Sequence, residues 1–130
     1  MSNETYVRFF VEDGSTSFAV DVHNADTVYV PKEADSIVSF DVFSVSGVPL
    51  DITDKTVTMT VKRRPTDTVF VAKINATIQS PSPSCYGFFV LQKSLWTLIP
   101  AGMYVYEVFS EDLLGNRTQL SSAKVFHLGY

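Results

Sequence analysis

Residues 102–128 read Gly-Met-Tyr-Val-Tyr-Glu-Val-Phe-Ser-Glu-Asp-Leu-Leu-Gly-Asn-Arg-Thr-Gln-Leu-Ser-Ser-Ala-Lys-Val-Phe-His-Leu. Tyr104, Tyr106 and Val108 alternate with Val105, Glu107 and Phe109, the two-residue period of a strand whose faces differ. Gly115-Asn116 offers the left-handed backbone that a tight connection needs before the chain turns back. The stretch predicts the closing hairpin of a β-sandwich and carries no catalytic pattern.

The same period recurs upstream. Residues 56–62 place Val57, Met59 and Val61 on one face and Thr56, Thr58, Thr60 and Lys62 on the other. Residues 37–43 turn Val38, Phe40 and Val42 inward and Ser39 and Asp41 outward. Residues 86–91 form a strand, residues 68–74 form a strand apolar on both faces, and Val28-Tyr29-Val30 is a further candidate. Residues 93–98 suit one helical turn that plugs the sandwich through Leu95, Trp96 and Leu98 before Pro100 stops it. Ser80-Pro81-Ser82-Pro83-Ser84 reads as an exposed loop, because two prolines exclude both helix and central strand.

At the N-terminus, residues 6–11 and 17–22 read as two strands joined through Asp13-Gly14. The expected organisation is therefore a hairpin arm over residues 1–30 and a sandwich over residues 31–130. The fold class is all-β: an immunoglobulin-like antiparallel β-sandwich with an N-terminal β-hairpin extension.

Composition sets bounds on function. The chain has 130 residues, 45% hydrophobic and 18% charged, which is enough apolar material for one packed core. Cys85 is the lone cysteine, so neither an intrachain disulfide nor a four-thiolate metal site can form. A net charge of −4 argues against nonspecific nucleic-acid binding, and no apolar run approaches the ~20 residues of a membrane span. The Asn-X-Ser/Thr sequons at Asn3, Asn75 and Asn116 carry no weight without a secretory signal. Charge is unevenly placed: residues 1–54 sum to −8 and the remainder to +4. Copies with those halves on different surfaces would dock head to tail; interleaved strands would mix the charges instead.

The segments Gly47-Val48-Pro49-Leu50-Asp51-Ile52-Thr53, Thr56-Val57-Thr58-Met59-Thr60-Val61-Lys62, Ile99-Pro100-Ala101-Gly102-Met103-Tyr104 and Asp112-Leu113-Leu114-Gly115-Asn116 occur in that order. In this order they resemble the immunoglobulin-like N-terminal module of phage baseplate upper proteins and related virion proteins. The resemblance covers residues 34–128 and consists mainly of turn chemistry. It implies a noncatalytic structural part of a bacteriophage particle: a baseplate or other tail component, a neck part, a fibre adaptor or a capsid decoration. It implies assembly in the bacterial cytoplasm, residence in the virion, and other virion proteins as partners. A homo-oligomer or symmetric array is expected, with no nucleic-acid or membrane partner and no cofactor.

A search for chemistry leads away from an enzyme. His23 and His127 lie in no metal-ligand spacing, and neither a phosphate loop nor a nucleophile elbow occurs. Asp51, Asp54 and Asp112 invite comparison with a calcium cluster, but Asp51 and Asp54 read more simply as turn residues bonding nearby amides. The expected docking residues are Tyr6, Arg8, Phe10, Phe18 and Val20 of the arm and the basic tip Lys62, Arg63 and Arg64. The alternative is a carbohydrate-binding host-recognition module that uses Trp96 and Tyr86 as a stacking platform, with core filling as the competing use of these rings.

Overall fold

A computed structural model of the protein describes residues 3–11, 27–44, 46–79, 84–121 and 124–129. Among the described residues ten strands form: β1 (Asn3–Val11), β2 (Val28–Pro31), β3 (Ser36–Ser44), β4 (Thr56–Lys62), β5 (Ala72–Asn75), β6 (Thr77–Ile78), β7 (Tyr86–Leu91), β8 (Gly102–Glu111), β9 (Arg117–Gln119) and β10 (Lys124–Gly129). A single 3-10 turn, Lys93–Trp96, lies between β7 and β8. One sheet has the order β1-β3-β7-β6; the other has β2-β10-β8-β4-β5, with β9 also on β8.

Alternation builds the core from both layers. Val7, Phe9 and Val11 of β1, Val38, Phe40 and Val42 of β3, and Phe89 and Leu91 of β7 point inward from one sheet. They meet Val57, Met59 and Val61 of β4, Tyr104, Tyr106 and Val108 of β8, and Phe126 and Leu128 of β10. Phe40 lies at the centre of its sheet, with ring centroids 5.8 Å from Phe9 and 5.2 Å from Phe89. Trp96 closes the interior against Phe126 at 5.4 Å. The expected plug is thus present, with Trp96 buried while Leu95 and Leu98 stay exposed.

The sheets are mixed rather than purely antiparallel, which corrects the expected architecture. β1 pairs with β3 in parallel over nine residues, and β2 pairs with β10 in parallel. The cause is the path of the chain: β1, β2 and β3 lie alternately in one sheet, the other, and the first again. No hairpin therefore joins β1 to β3, and the geometry that makes consecutive strands antiparallel does not apply to them. Side-chain alternation reports which residues face inward but not which strand lies alongside.

β1 is therefore an integral strand of its sheet, with three side chains in the core. The expected return strand, residues 17–22, and its Asp13-Gly14 turn lie outside the described residues, as do residues 80–83 of the proline loop. The strand expected over residues 68–74 is shorter, Ala72–Asn75. Val69 and Phe70 instead sit exposed in the loop after β4, which ends where the Val71 amide donates to the Val61 carbonyl at 2.8 Å.

The closing hairpin exists with an interruption. β8 pairs with β9 through Phe109–Gln119 and with β10 through Tyr106–Lys124, and the described pairing is interrupted at Glu107 and Val108. Leu120 drops into the core there, and Ser121 Oγ accepts from the Val108 amide at 3.1 Å. In the turn, Gly115 alone takes positive φ, at 87°; Asn116 does not. Asp112 Oδ1 replaces the second left-handed residue by accepting from the amides of Leu114 and Asn116, both at 2.9 Å. Tyr104 locks the entry to β8 by donating its hydroxyl to the Pro100 carbonyl at 2.6 Å.

Candidate interaction surfaces

The outward face of the four-stranded sheet is unusually rich in rings. The register sets Phe10 beside Phe43, Arg8 beside Asp41 with Tyr86 beyond, and Tyr6 beside Ser39 with Phe88 beyond. Tyr6 is 56% exposed, Tyr86 47% and Val90 40%, while Phe10, Phe43 and Phe88 are half-buried. An outward sheet face is normally its polar side, and contiguous apolar surface of this kind marks interaction sites.

Asp41 lies at the centre of this face yet is fully buried. Arg8 grips it with two nitrogens, Nε at 2.9 Å and Nη2 at 3.0 Å, and the Tyr6 hydroxyl donates to its Oδ2. Arg8 Nη2 also reaches the Tyr6 oxygen at 3.2 Å, and its guanidinium lies 4.6 Å from the Phe43 ring centroid. This forked geometry is the strong form of a carboxylate bond. Partial burial, and then the bond to Asp41, push the Tyr6 phenol above its ordinary range, while the bond to Asp41 pushes Arg8 further up. Burial, followed by the charge of Asp41, also raises the thiol of Cys85.

The expected docking residues do not form one surface. Tyr6, Arg8 and Phe10 share the ringed face; Phe18 and Val20 lie outside the described residues. Lys62, Arg63 and Arg64 sit at one end of the other sheet. Lys62 is held 3.5 Å from Glu107 and lies 5.6 Å from the Phe70 ring centroid, and Arg64 is 3.4 Å from Asp67. Nor are the two aromatic residues of the sugar-platform alternative brought together. Tyr86 is on the surface, but Trp96 is 0% exposed and offers no ring face to a ligand. Its Nε1 is buried without a hydrogen-bond partner among the described residues.

At the opposite end from the basic tip, Asp51, Asp54 and Asp112 do converge, with Lys55, Leu113 and Leu114, around an open hollow of about 330 Å³. Two of the three carboxylates are used by their own turns. Asp51 Oδ1 accepts from the Thr53 hydroxyl and amide and from the Ser84 amide, and these bonds hold it below the usual carboxylate range. Asp112 is lowered by the Asn116 amide first and by Leu114 after it. Lys55 adds a favourable charge to both. These bonds account for Asp51 and Asp112 as turn residues.

Sequence reasoning turned Asp41 outward but named neither it nor Phe43 and Phe88 as part of an interaction surface. The alternation in β3 and β7 carries a signal: the two phenylalanines fall on the outward register, where a polar residue is the ordinary choice.

These elements define an all-β, two-layer domain with mixed sheets and a ringed outer face. No protein-family model matches the chain, and no curated protein does. Among solved structures it is similar to the N-terminal domain of phage TP901-1 ORF48, with a TM-score of 0.55 over 100% of both chains at 6% identity. At that identity the likeness is one of fold.

Proposed function

We propose that this chain is a noncatalytic structural module of a bacteriophage virion that docks onto neighbouring virion proteins as a baseplate, neck, fibre-adaptor or decoration component. The observation that carries this reading is the full-length likeness of its fold to the N-terminal domain of a phage protein. The corner bond from Tyr104 to Pro100 supports relating the module to immunoglobulin-like domains, which use a similar tyrosine. The ringed face supplies an anchor surface of the kind interfaces prefer, aromatic with a half-exposed arginine at its centre. The arm role expected for residues 1–30 takes a modified form: the outward side of β1 docks while its inward side serves the core.

Mass spectrometry of gradient-purified particles from the phage that encodes the chain tests the reading. Stoichiometric amounts are expected, with Tyr86→Ser/Val90→Ser folding normally but depleted from particles. A chain absent from the particles would overturn the virion role. Undiminished incorporation of the folded variant would overturn the docking face.

A further inference from the structure

The two ends of the sandwich differ in charge, and each carries exposed apolar residues. Thr56 of β4 pairs with Glu111 of β8, and Lys62 pairs with Val105, so the ends of β4 define two poles about 20 Å apart. At the first pole the turns before β4 and after β8 bring together Asp51, Asp54, Glu111 and Asp112 against Lys55 and Arg117. There Leu113 and Leu114 stand 85% and 87% exposed on the tip of their turn.

The second pole holds the loop after β4, the turn before β3, and the segment that enters β8. Its five cations, Lys32, Lys62, Arg63, Arg64 and Lys93, stand against four acids, Glu33, Asp35, Asp67 and the Glu107 that holds Lys62, which leaves a small excess of base. Asp35 is engaged by the Lys93 amide at 2.9 Å, and Asp67 by Arg64. Val69, Phe70 and Leu98 are exposed at this pole, Leu98 at 93%. Among the described residues both poles draw on both halves of the chain, so the poles do not follow the imbalance of the sequence; acids are in excess at the leucine tip and bases, slightly, at the apolar end opposite.

We propose that the occupant of each pole is the opposite pole of a second copy of this chain. Charge complementarity selects the partner: the acidic tip is repelled by another acidic tip and attracted to a basic end, so the contact joins unlike patches. Such a contact generates a ring if its rotation closes and a filament if it does not. The leucine pair would anchor against Val69, Phe70 and Leu98, and the surrounding charges would set orientation and encounter rate. This contact leaves the ringed face free and does not depend on the virion reading.

Analytical ultracentrifugation of the full chain and two pole variants tests the proposal. Leu113→Ser/Leu114→Ser disables the tip and leaves the basic end intact; Arg63→Glu/Val69→Ser does the reverse. Wild type should grow with concentration at low salt and associate at least tenfold more weakly at 0.5 M salt, on the order expected from screening. Each variant alone should remain monomeric with an unchanged circular dichroism spectrum. An equimolar mixture should form a dimer and nothing larger, because one intact tip and one intact basic end survive in the mixture. Asp54→Lys should likewise lose association and regain it when combined with Arg63→Glu in one chain. A wild type that stays monomeric at high concentration, variants that still associate alone, or a mixture that gives no dimer would each overturn the proposal.

Discussion

Arg8 closes over Asp41 from the neighbouring parallel strand, Nε to Oδ1 at 2.9 Å, and removes an outward-facing carboxylate completely from water. The guanidinium itself stays 45% exposed, so the two partners have unequal claims on each other. Losing Asp41 leaves an arginine that water can solvate; losing Arg8 leaves a carboxylate among Phe43, Tyr86 and Tyr6.

Arg8→Ala should therefore lower the melting temperature more than Asp41→Ala, by a few degrees on the scale of a domain this size. The double variant should cost less than the sum of the two, because the uncompensated charge is gone. Thermal melts of the three proteins give the cycle; equal single effects that add would show that the pair is not coupled.

Asp51 and Asp112 predict the shape of the acid limb. Their folded pKa values lie below the 3.8 of the free group, so the folded state resists protonation more than the unfolded chain does. The stability they contribute is present above about pH 4 and is lost as pH falls through their depressed folded values. Melting temperatures between pH 5 and 2 should fall less steeply in Asp51→Asn and Asp112→Asn than in wild type. An unchanged slope would show that these turns open before the carboxylates titrate.

Gly87 lies where β7 passes over Phe40. A Cβ there would approach Phe40 Cζ at 2.6 Å and the Thr77 carbonyl oxygen at 2.9 Å. Gly87→Ala should cost about 1–3 kcal/mol as an overpacked core site, measured by urea denaturation. Exchange of the Gln79 amide, which donates to the Tyr86 carbonyl at 3.0 Å, should rise more than exchange in β4 if the clash is local.

Trp96→Ala should cost about 3–5 kcal/mol, the penalty for emptying a large buried site, while Trp96→Phe should cost much less because it also removes a buried N–H without a partner. Chemical denaturation separates the two. Loss of any binding on Trp96→Ala then reports unfolding rather than a lost contact, so Tyr86→Ser is the informative probe of the ringed face.

The strands β4 and β7 were legible to the residue from alternation, and the turn at Trp96 was legible in place but is shorter than the expected 93–98, ending at Trp96. Residues 68–74 misled the same logic: an unbroken apolar run looks identical whether a strand is buried on both sides or a loop displays Val69 and Phe70 beside Lys62. The ringed face was half legible. Tyr6, Arg8 and Phe10 follow from their own alternation, but their partners Asp41, Phe43 and Tyr86 come from β3 and β7, and no local pattern announces which strands adjoin.

From the sequence alone come an all-β domain with one apolar core, its principal strands, and a charge imbalance along the chain. These follow from side-chain period, turn residues and composition, all of which act over a few neighbours. Only the tertiary structure decided that β1 runs parallel to β3, that Asp41 is buried on an outward face, that Trp96 is core, and that Asp51, Asp54 and Asp112 converge on one hollow. Each of these depends on which strands pair and which sheet each crossing reaches, and that choice is made by packing between residues distant in the chain.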